Sequence, residues 1–370
     1  MALDPRIEKL ADVLVHYSVK VLPGDRVLIQ GDTLAELLLK AVYTRVLQAG
    51  GHPYTELSLP GMDELLFRYA SDEQLRYVPE PVKLTMERYD VHIAIEGSEN
   101  TRALSSVDPA KMVLRRQARA ELMRTFLRRS ASGELRWTLT LFPTNAHAQD
   151  AEMSLSEYED FLYGACLPNE DDPVAYWQRF SLQQQKIVDW LKGKETVHVI
   201  GPETDVHLSI AGRVFVNCDG RFNMPDGEVY TGPVEDSVEG HVYFSYPAIC
   251  GGREVTGVRL WFERGRVVQA RAEKNESFLL QTLDTDEGAH RVGEFAIGTN
   301  EGINRFTRQI LLDEKINGSF HLALGAGYPE TGSRNESAVH WDMICDLRRG
   351  GEIWVDNELL YKQGQFVVRL

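Results

Sequence analysis

The chain has 370 residues, 43% hydrophobic and 26% charged, an ordinary globular make-up that is long for a single core, so two domains are expected. A formal charge of −15 argues against nucleic acid and anionic membranes as main partners, because phosphate binding needs a basic surface. No apolar run reaches the ~18 residues of a membrane span, the charged start MALDPRIEKLADVL is no signal peptide, and Cys166, Cys218, Cys250 and Cys345 are too scattered for a disulfide framework, so a reducing cytoplasm is expected.

In chain order, residues 4–19 form an amphipathic pattern, with Ile7, Leu10, Ala11, Leu14 and Val15 on one stripe. A turn at Pro23-Gly24-Asp25 leads to a strand at 26–30, a helix at 33–48 stopped by Gly50-Gly51, and a strand at 54–59. That strand–helix–strand unit predicts a parallel sheet. The pattern continues with helical stretches at 63–77 and 80–88, a strand at 91–95, a long helix at 109–129 and a strand at 137–142. Helices at 154–163 and 173–192 follow. After Lys194 the texture turns to short strands between Gly and Asp turns, at 197–200, 206–210, 214–216, 240–246 and 255–262, with helices near 276–283 and 304–312. The expected architecture is an α/β N-terminal domain with a parallel sheet over 1–190. An α+β, strand-rich C-terminal metal-binding domain follows over 191–370.

Several features carry no chemistry of their own. The first strand runs into Gly31-Asp-Thr-Leu-Ala-Glu rather than the Gly-x-Gly-x-x-Gly of a dinucleotide site. Lys111, Arg115, Arg116, Arg119, Arg124, Arg128 and Arg129 read as a solvated helix face in so acidic a chain. His-Glu-x-x-His, Gly-x-Ser-x-Gly and P-loop motifs are absent.

The chemistry gathers between Asn223 and Asp342. Glu228 begins an apolar run after the turn Pro225-Asp226-Gly227, and Glu294 follows Gly293 at the head of Phe-Ala-Ile-Gly298. His321 sits in Ser319-Phe-His-Leu-Ala-Leu-Gly325. His340 and Asp342 are two apart in a strand-like run, so they share one face ~6.5–7 Å apart and can serve neighbouring metals. A carboxylate at the edge of an apolar strand is costly to bury alone. Three carboxylates and two neutral imidazoles carry a formal −3, and two divalent cations with a bridging hydroxide neutralise it if the five residues converge. Taken singly, each residue has a bland reading as a packed histidine or a wet-face acid.

Asn223-Met-Pro-Asp-Gly-Glu-Val-Tyr-Thr, Gly293-Glu-Phe-Ala-Ile-Gly-Thr-Asn300, Asp313-Glu-Lys-Ile-Asn-Gly-Ser-Phe-His-Leu-Ala-Leu-Gly325 and His340-Trp-Asp-Met-Ile resemble the M29 metallopeptidases, the aminopeptidase T family. Phe142-Pro-Thr-Asn-Ala-His-Ala-Gln and Met153-Ser-Leu-Ser-Glu-Tyr-Glu-Asp-Phe are similar as well. The resemblance implies a metal-dependent aminopeptidase that removes N-terminal residues from short peptides with a free N-terminus, working as a homodimer. It implies two divalent ions, zinc or cobalt first and magnesium or manganese next, held by Glu228, Glu294, His321, His340 and Asp342. Tyr328, in Gly325-Ala-Gly-Tyr, would be the catalytic tyrosine, and Glu228 or Glu294 the proton acceptor. The His321–His340 spacing is short for the family, which implies a trimmed loop at 330–337. Another amide hydrolase on the same centre, or a non-catalytic metal-binding homologue, stays open as an alternative.

Overall fold

The computed structural model describes residues 4–167 and 171–368. The chain forms two compact units, Met1–Gln178 with Gly220–Pro225, and Arg179–Asp219 with Asp226–Leu370.

The first unit is built on a parallel sheet. Its strands are β1 (Arg26–Asp32), β2 (His52–Ser58), β3 (Val91–Glu96) and β4 (Arg136–Leu141), in the order β2-β1-β3-β4. The two-residue strand Asn223–Met224 pairs parallel with β4 and completes the sheet. In β1, Val27, Leu28 and Ile29 are all buried, as expected of a strand covered on both faces. The helix Glu36–Gln48 buries Leu38, Leu39, Ala41, Val42 and Val46, and Gly50, at φ +84°, turns the chain back into β2.

Local signals overrule several of the longer predicted helices. The stretch 63–77 divides into Met62–Tyr69 and Asp72–Arg76, because Ser71 caps the second piece with a capping box to Gln74. The 109–129 helix breaks at Arg119 into Pro109–Ala118 and Ala120–Ala131. The first helix gives way after Asp12 to a wider turn, Val13–Ser18. Around 304–312, helix is confined to Ile310–Asp313. Two arginines of the basic stretch tie down backbone: Arg129 is 6% exposed and donates to the Met86 carbonyl at 2.8 Å, and Arg115 donates to the Leu75 and Tyr77 carbonyls at 3.2 and 2.8 Å.

The second unit is strand-rich. An eight-stranded antiparallel sheet and a five-stranded antiparallel sheet share one apolar core. The smaller sheet runs, edge to edge, His340–Asp346, Ser319–Gly325, Val292–Gly298, Glu228–Thr231 and Val216–Cys218. Its period-2 alternation sorts the side chains. Val229, Phe295, Ile297, Phe320, Leu322, Leu324, Trp341 and Met343 enter the common core. Their neighbours, Glu228, Tyr230, Ala296, His321, His340 and Asp342, stand on the opposite face.

Candidate metal centre

Strand register assembles that opposite face. Glu294 pairs with Ala323, and Ala323 pairs with Asp342, so two carboxylates flank an alanine across three strands. The small Ala323 leaves the space above it to acid side chains. His321 lies one step along the same strand, opposite Ala296. A register shift between Val292 and Glu294 brings Glu294 onto this face. Gly293 sits in that shift, where a Cβ would lie 2.3 Å from the Gly325 carbonyl oxygen. Gly325, at φ +103°, pairs with His340, and a Cβ there would lie 2.1 Å from the Val339 oxygen.

The five side chains meet. His321 Nε2 lies 3.5 Å from Glu294 Oε1, 3.7 Å from Glu228 Oε2 and 4.0 Å from Asp342 Oδ1. His340 Nε2 lies 3.4 Å from Glu294 Oε2 and 3.4 Å from Asp342 Oδ1. Glu294 therefore turns one oxygen to each imidazole. Two ligand-competent groups result, Glu228–Glu294–His321 and Glu294–His340–Asp342, and they share Glu294. His340 and Asp342 share one of these groups, and Asp342 also reaches His321 of the neighbouring one. His340 Nδ1 is fixed by the Ala326 carbonyl at 2.8 Å.

Burial makes the electrostatics severe. Glu228 and Glu294 are 5% and 4% exposed, and His321 is 1% exposed. Burial lifts the Glu228 carboxyl to about 8 against the pull of Lys315. Burial opposes charge on His321, but Glu294, Glu228 and Asp342 outweigh it and raise the imidazole to about 9. His340, likewise opposed by burial, is raised to about 11 by Asp342 and Glu294. Burial works to raise Glu294 and Asp342 too, yet the histidines hold both below the ordinary carboxylate range. The cluster draws in positive charge from whatever can carry it.

A sequence profile described as "Thermophilic metalloprotease (M29)" matches residues 3–366. The chain belongs to the M29 metallopeptidase family. Its relatives include "Aminopeptidase T" of Thermus thermophilus, 27% identical over 401 residues that cover 98% of this chain and 96% of the relative. "Aminopeptidase 2" of Geobacillus stearothermophilus is 27% identical over 384 residues, 92% of each chain. The solved structure of wild-type AmpT from Thermus thermophilus matches with a TM-score of 0.87 at 24% identity, over 99% of this chain and 100% of that one. A 2,5-dihydroxypyridine dioxygenase from Pseudomonas putida shares the fold at 14% identity and a TM-score of 0.61, covering 98% and 97%.

The M29 chain's donor set fits a divalent metal. Glu228 Oε2 and Asp342 Oδ1 are buried with no hydrogen-bond partner, and they lie 3.7 and 4.0 Å from His321 Nε2. Carboxylate and imidazole donors are the usual ligands of zinc and its neighbours. Tyr328 lies beside this set, 39% exposed, its ring 5.2 Å from those of His340 and Tyr230. Burial and then the nearby carboxylates push its phenol pKa up, so it remains a donor.

Two charged neighbours, Lys315 and Glu314, escaped the sequence reading as parts of the centre. Lys315 is fully buried, with Nζ 3.7 Å from Glu228 Oε1, 3.9 Å from Asp226 Oδ1 and in tight contact with Glu314. Glu314 forms a further ligand-competent group with His321 and Asp342. The run Asp313-Glu-Lys looks like a solvated turn, and its place inside the third resembling motif was the one available signal. Gln184 is a third supporting residue: its Nε2 donates to the Glu228 carbonyl at 3.0 Å and so positions the strand that carries Glu228.

Proposed function

We propose that this M29 chain is a metal-dependent aminopeptidase that removes N-terminal residues from short peptides at a two-metal centre. The observation that carries the reading is Glu294, shared between His321 and His340 at 3.5 and 3.4 Å, which makes two adjoining ligand groups out of five residues. Glu228, Glu294 and His321 would hold one cation, and Glu294, His340 and Asp342 the other. Zinc or cobalt suits these donors best, with magnesium or manganese next. Asp226, Glu228, Glu294, Glu314 and Asp342 against Lys315 give a formal −4, the charge that two divalent cations neutralise.

Bound there, such a pair of cations supplies a water of lowered pKa and polarises the scissile carbonyl. The chain's residues do the rest. Glu228 or Glu294 accepts the water's proton and returns it to the leaving amine. Tyr328 donates its hydroxyl to the carbonyl oxygen as negative charge builds, and its raised pKa keeps that proton in place. Lys315 holds the Glu228 carboxylate against the repulsion of its neighbours. The names of the relatives support the aminopeptidase reading, and the family resemblance extends it to a cytoplasmic homodimer. The acidic chain supports the absence of nucleic acid and membrane partners, and no helix among the described residues is long and apolar enough to cross a membrane.

The test is chelation followed by back-titration of single metals, with aminoacyl chromogenic amides and their N-blocked analogues as substrates. Activity should vanish, return with about two ions per chain by elemental analysis, and require the free amine. Turnover of blocked substrates would indicate a different amide hydrolase, and bound metal without turnover a binding protein. Tyr328→Phe should lower kcat by about 10²–10³ with metal content unchanged. An unaltered kcat would return Tyr328 to a packing role.

A further inference from the structure

The metal centre leaves one feature of the first unit without a function. The chain leaves β1 for β2 on one side and comes back to β3 on the other, so the sheet order reverses at β1. At such a reversal the connecting loops part, and a crevice opens beyond the carboxyl ends of the strands. Here it measures about 590 Å³, which lies within the ~300–1,000 Å³ of small-molecule clefts.

The walls of the crevice carry one sign of charge. Asp32 ends β1 and Glu96 ends β3, each one residue beyond the register pair Gly31–Ile95, and both line the crevice. Asp63, Glu64 and Glu99 add to the rim, and among the described residues no lysine or arginine lines it. Phosphates and carboxylates are thereby repelled. Leu59 and Met62, also on the wall, are 58% and 52% exposed, so the crevice offers apolar contact as well.

A second, independent observation points to a ligand. His147 lines the crevice at 5% exposure, and its Nδ1 is buried without a hydrogen-bond partner. It belongs to the Phe142-Pro-Thr-Asn-Ala-His motif that the metal centre does not use. Thr144 caps the helix Asn145–Asp150 and accepts from the His147 backbone N–H at 3.4 Å, which fixes the residue at the helix start. An unsatisfied nitrogen in a buried ring is costly unless a ligand or water reaches it.

We propose that the crevice beyond β1 and β3 is a binding site for a small organic primary ammonium with an apolar body, the ammonium lying between Asp32 and Glu96 and within reach of His147. A bare metal ion would leave most of the volume and the apolar wall unused. This inference is independent of the metal-centre reading, since every group it invokes lies in the first unit.

The probe is 3-methylbutylamine, which carries the ammonium and an apolar body but no bond to hydrolyse. Titration calorimetry on the full chain should show saturable binding that weakens with added salt. The neutral isostere 3-methylbutanol should not bind. Asp32→Asn/Glu96→Gln keeps the cap on the Leu34 backbone N–H, because the asparagine oxygen still accepts. It should weaken the amine by about tenfold or more, as loss of charge-assisted hydrogen bonds does. Any amine bound at the metal centre survives in this variant, so the crevice shows as one site fewer per chain. Glu96→Gln alone, the less invasive change, should give an intermediate loss. The proposal is overturned by no saturable heat below about 10 mM, by equal binding of the alcohol, or by unchanged amine binding in the double variant. Failure of peptidase activity would leave these results standing, and the reverse holds too.

Discussion

Lys315→Met is the sharpest probe of what the buried carboxylates are for. Methionine keeps the length and the apolar stem of lysine and removes only the ammonium. Lys315 is 0% exposed and faces Glu228, Asp226 and Glu314, so without it three carboxylates face one another in an apolar interior. Removing one partner of a buried ion pair costs about 3–5 kcal/mol, a large part of the roughly 5–15 kcal/mol that holds a domain together. In chelator the variant should lose that much in urea unfolding, or respond by protonating Glu228, whose pKa burial already lifts to about 8. With divalent metal present the loss should shrink, because cations held by Glu228 supply the missing charge and stabilise the folded state by mass action. The decisive quantity is the difference between the two losses. An equal loss with and without metal would mean that cations do not bind among the carboxylates that Lys315 serves, and the dinuclear assignment would fall with it.

Three further outcomes follow from the same geometry. Glu294→Gln removes the one carboxylate common to both ligand groups, so metal content by elemental analysis should fall from about two ions per chain to below one, whereas loss of a ligand to a single ion would leave about one. Gly325→Ala places a Cβ 2.1 Å from the Val339 oxygen at φ +103°, and that oxygen accepts from the Ala326 N–H at 2.7 Å; strain and a lost hydrogen bond should cost about 2–6 kcal/mol by urea denaturation, and a wild-type midpoint would show that the strand pairing beside His340 yields easily. Burial lowers the pKa of His147 and takes that of His92 to about 4, below the unfolded 6.5; the unfolded chain then binds more protons in that window, so stability rises with pH there and is lost as pH falls from about 6.5 toward 4. His92→Gln should flatten that slope by up to one proton, measured as unfolding midpoint against pH, and an identical slope would show that His92 takes up its proton without cost.

How much of this was legible in the residues varies with the kind of signal. The parallel sheet was, because Val27-Leu-Ile and Val91-His-Ile-Ala-Ile alternate with helical stretches at the spacing of strand–helix–strand units. The short strand Asn223–Met224 was not: two residues carry no periodicity, and only pairing with β4 defines it. The helix breaks at Ser71 and Arg119 were missed for the opposite reason, since the apolar pattern runs on across them while a cap or a local turn stops the hydrogen bonding. In the second unit, Ser319-Phe-His-Leu-Ala-Leu-Gly reads as an apolar run around His321, and its burial on both faces cannot be read from one segment alone.

The buried charges show where such reading stops. A lysine beside two acids in Asp313-Glu-Lys is most simply solvated, and no local rule argues otherwise. It is buried because Ile316 and Ser319 carry the chain directly into a strand that is covered on both faces, leaving the lysine against the acid side of the sheet. The alternation that sends Phe320, Leu322 and Leu324 into the core sends His321 the other way, toward Glu228, Glu294 and Asp342 from three other strands. Glycine and alanine set the spacing of that face: Gly293 and Gly325 let the strands close, and Ala323 leaves room between Glu294 and Asp342. A larger residue at 323 would keep the hydrophobic pattern intact and still fill the space in which the acids meet. The apolar pattern therefore specifies the sheet, while the small residues between its polar positions specify that the acids can approach one another.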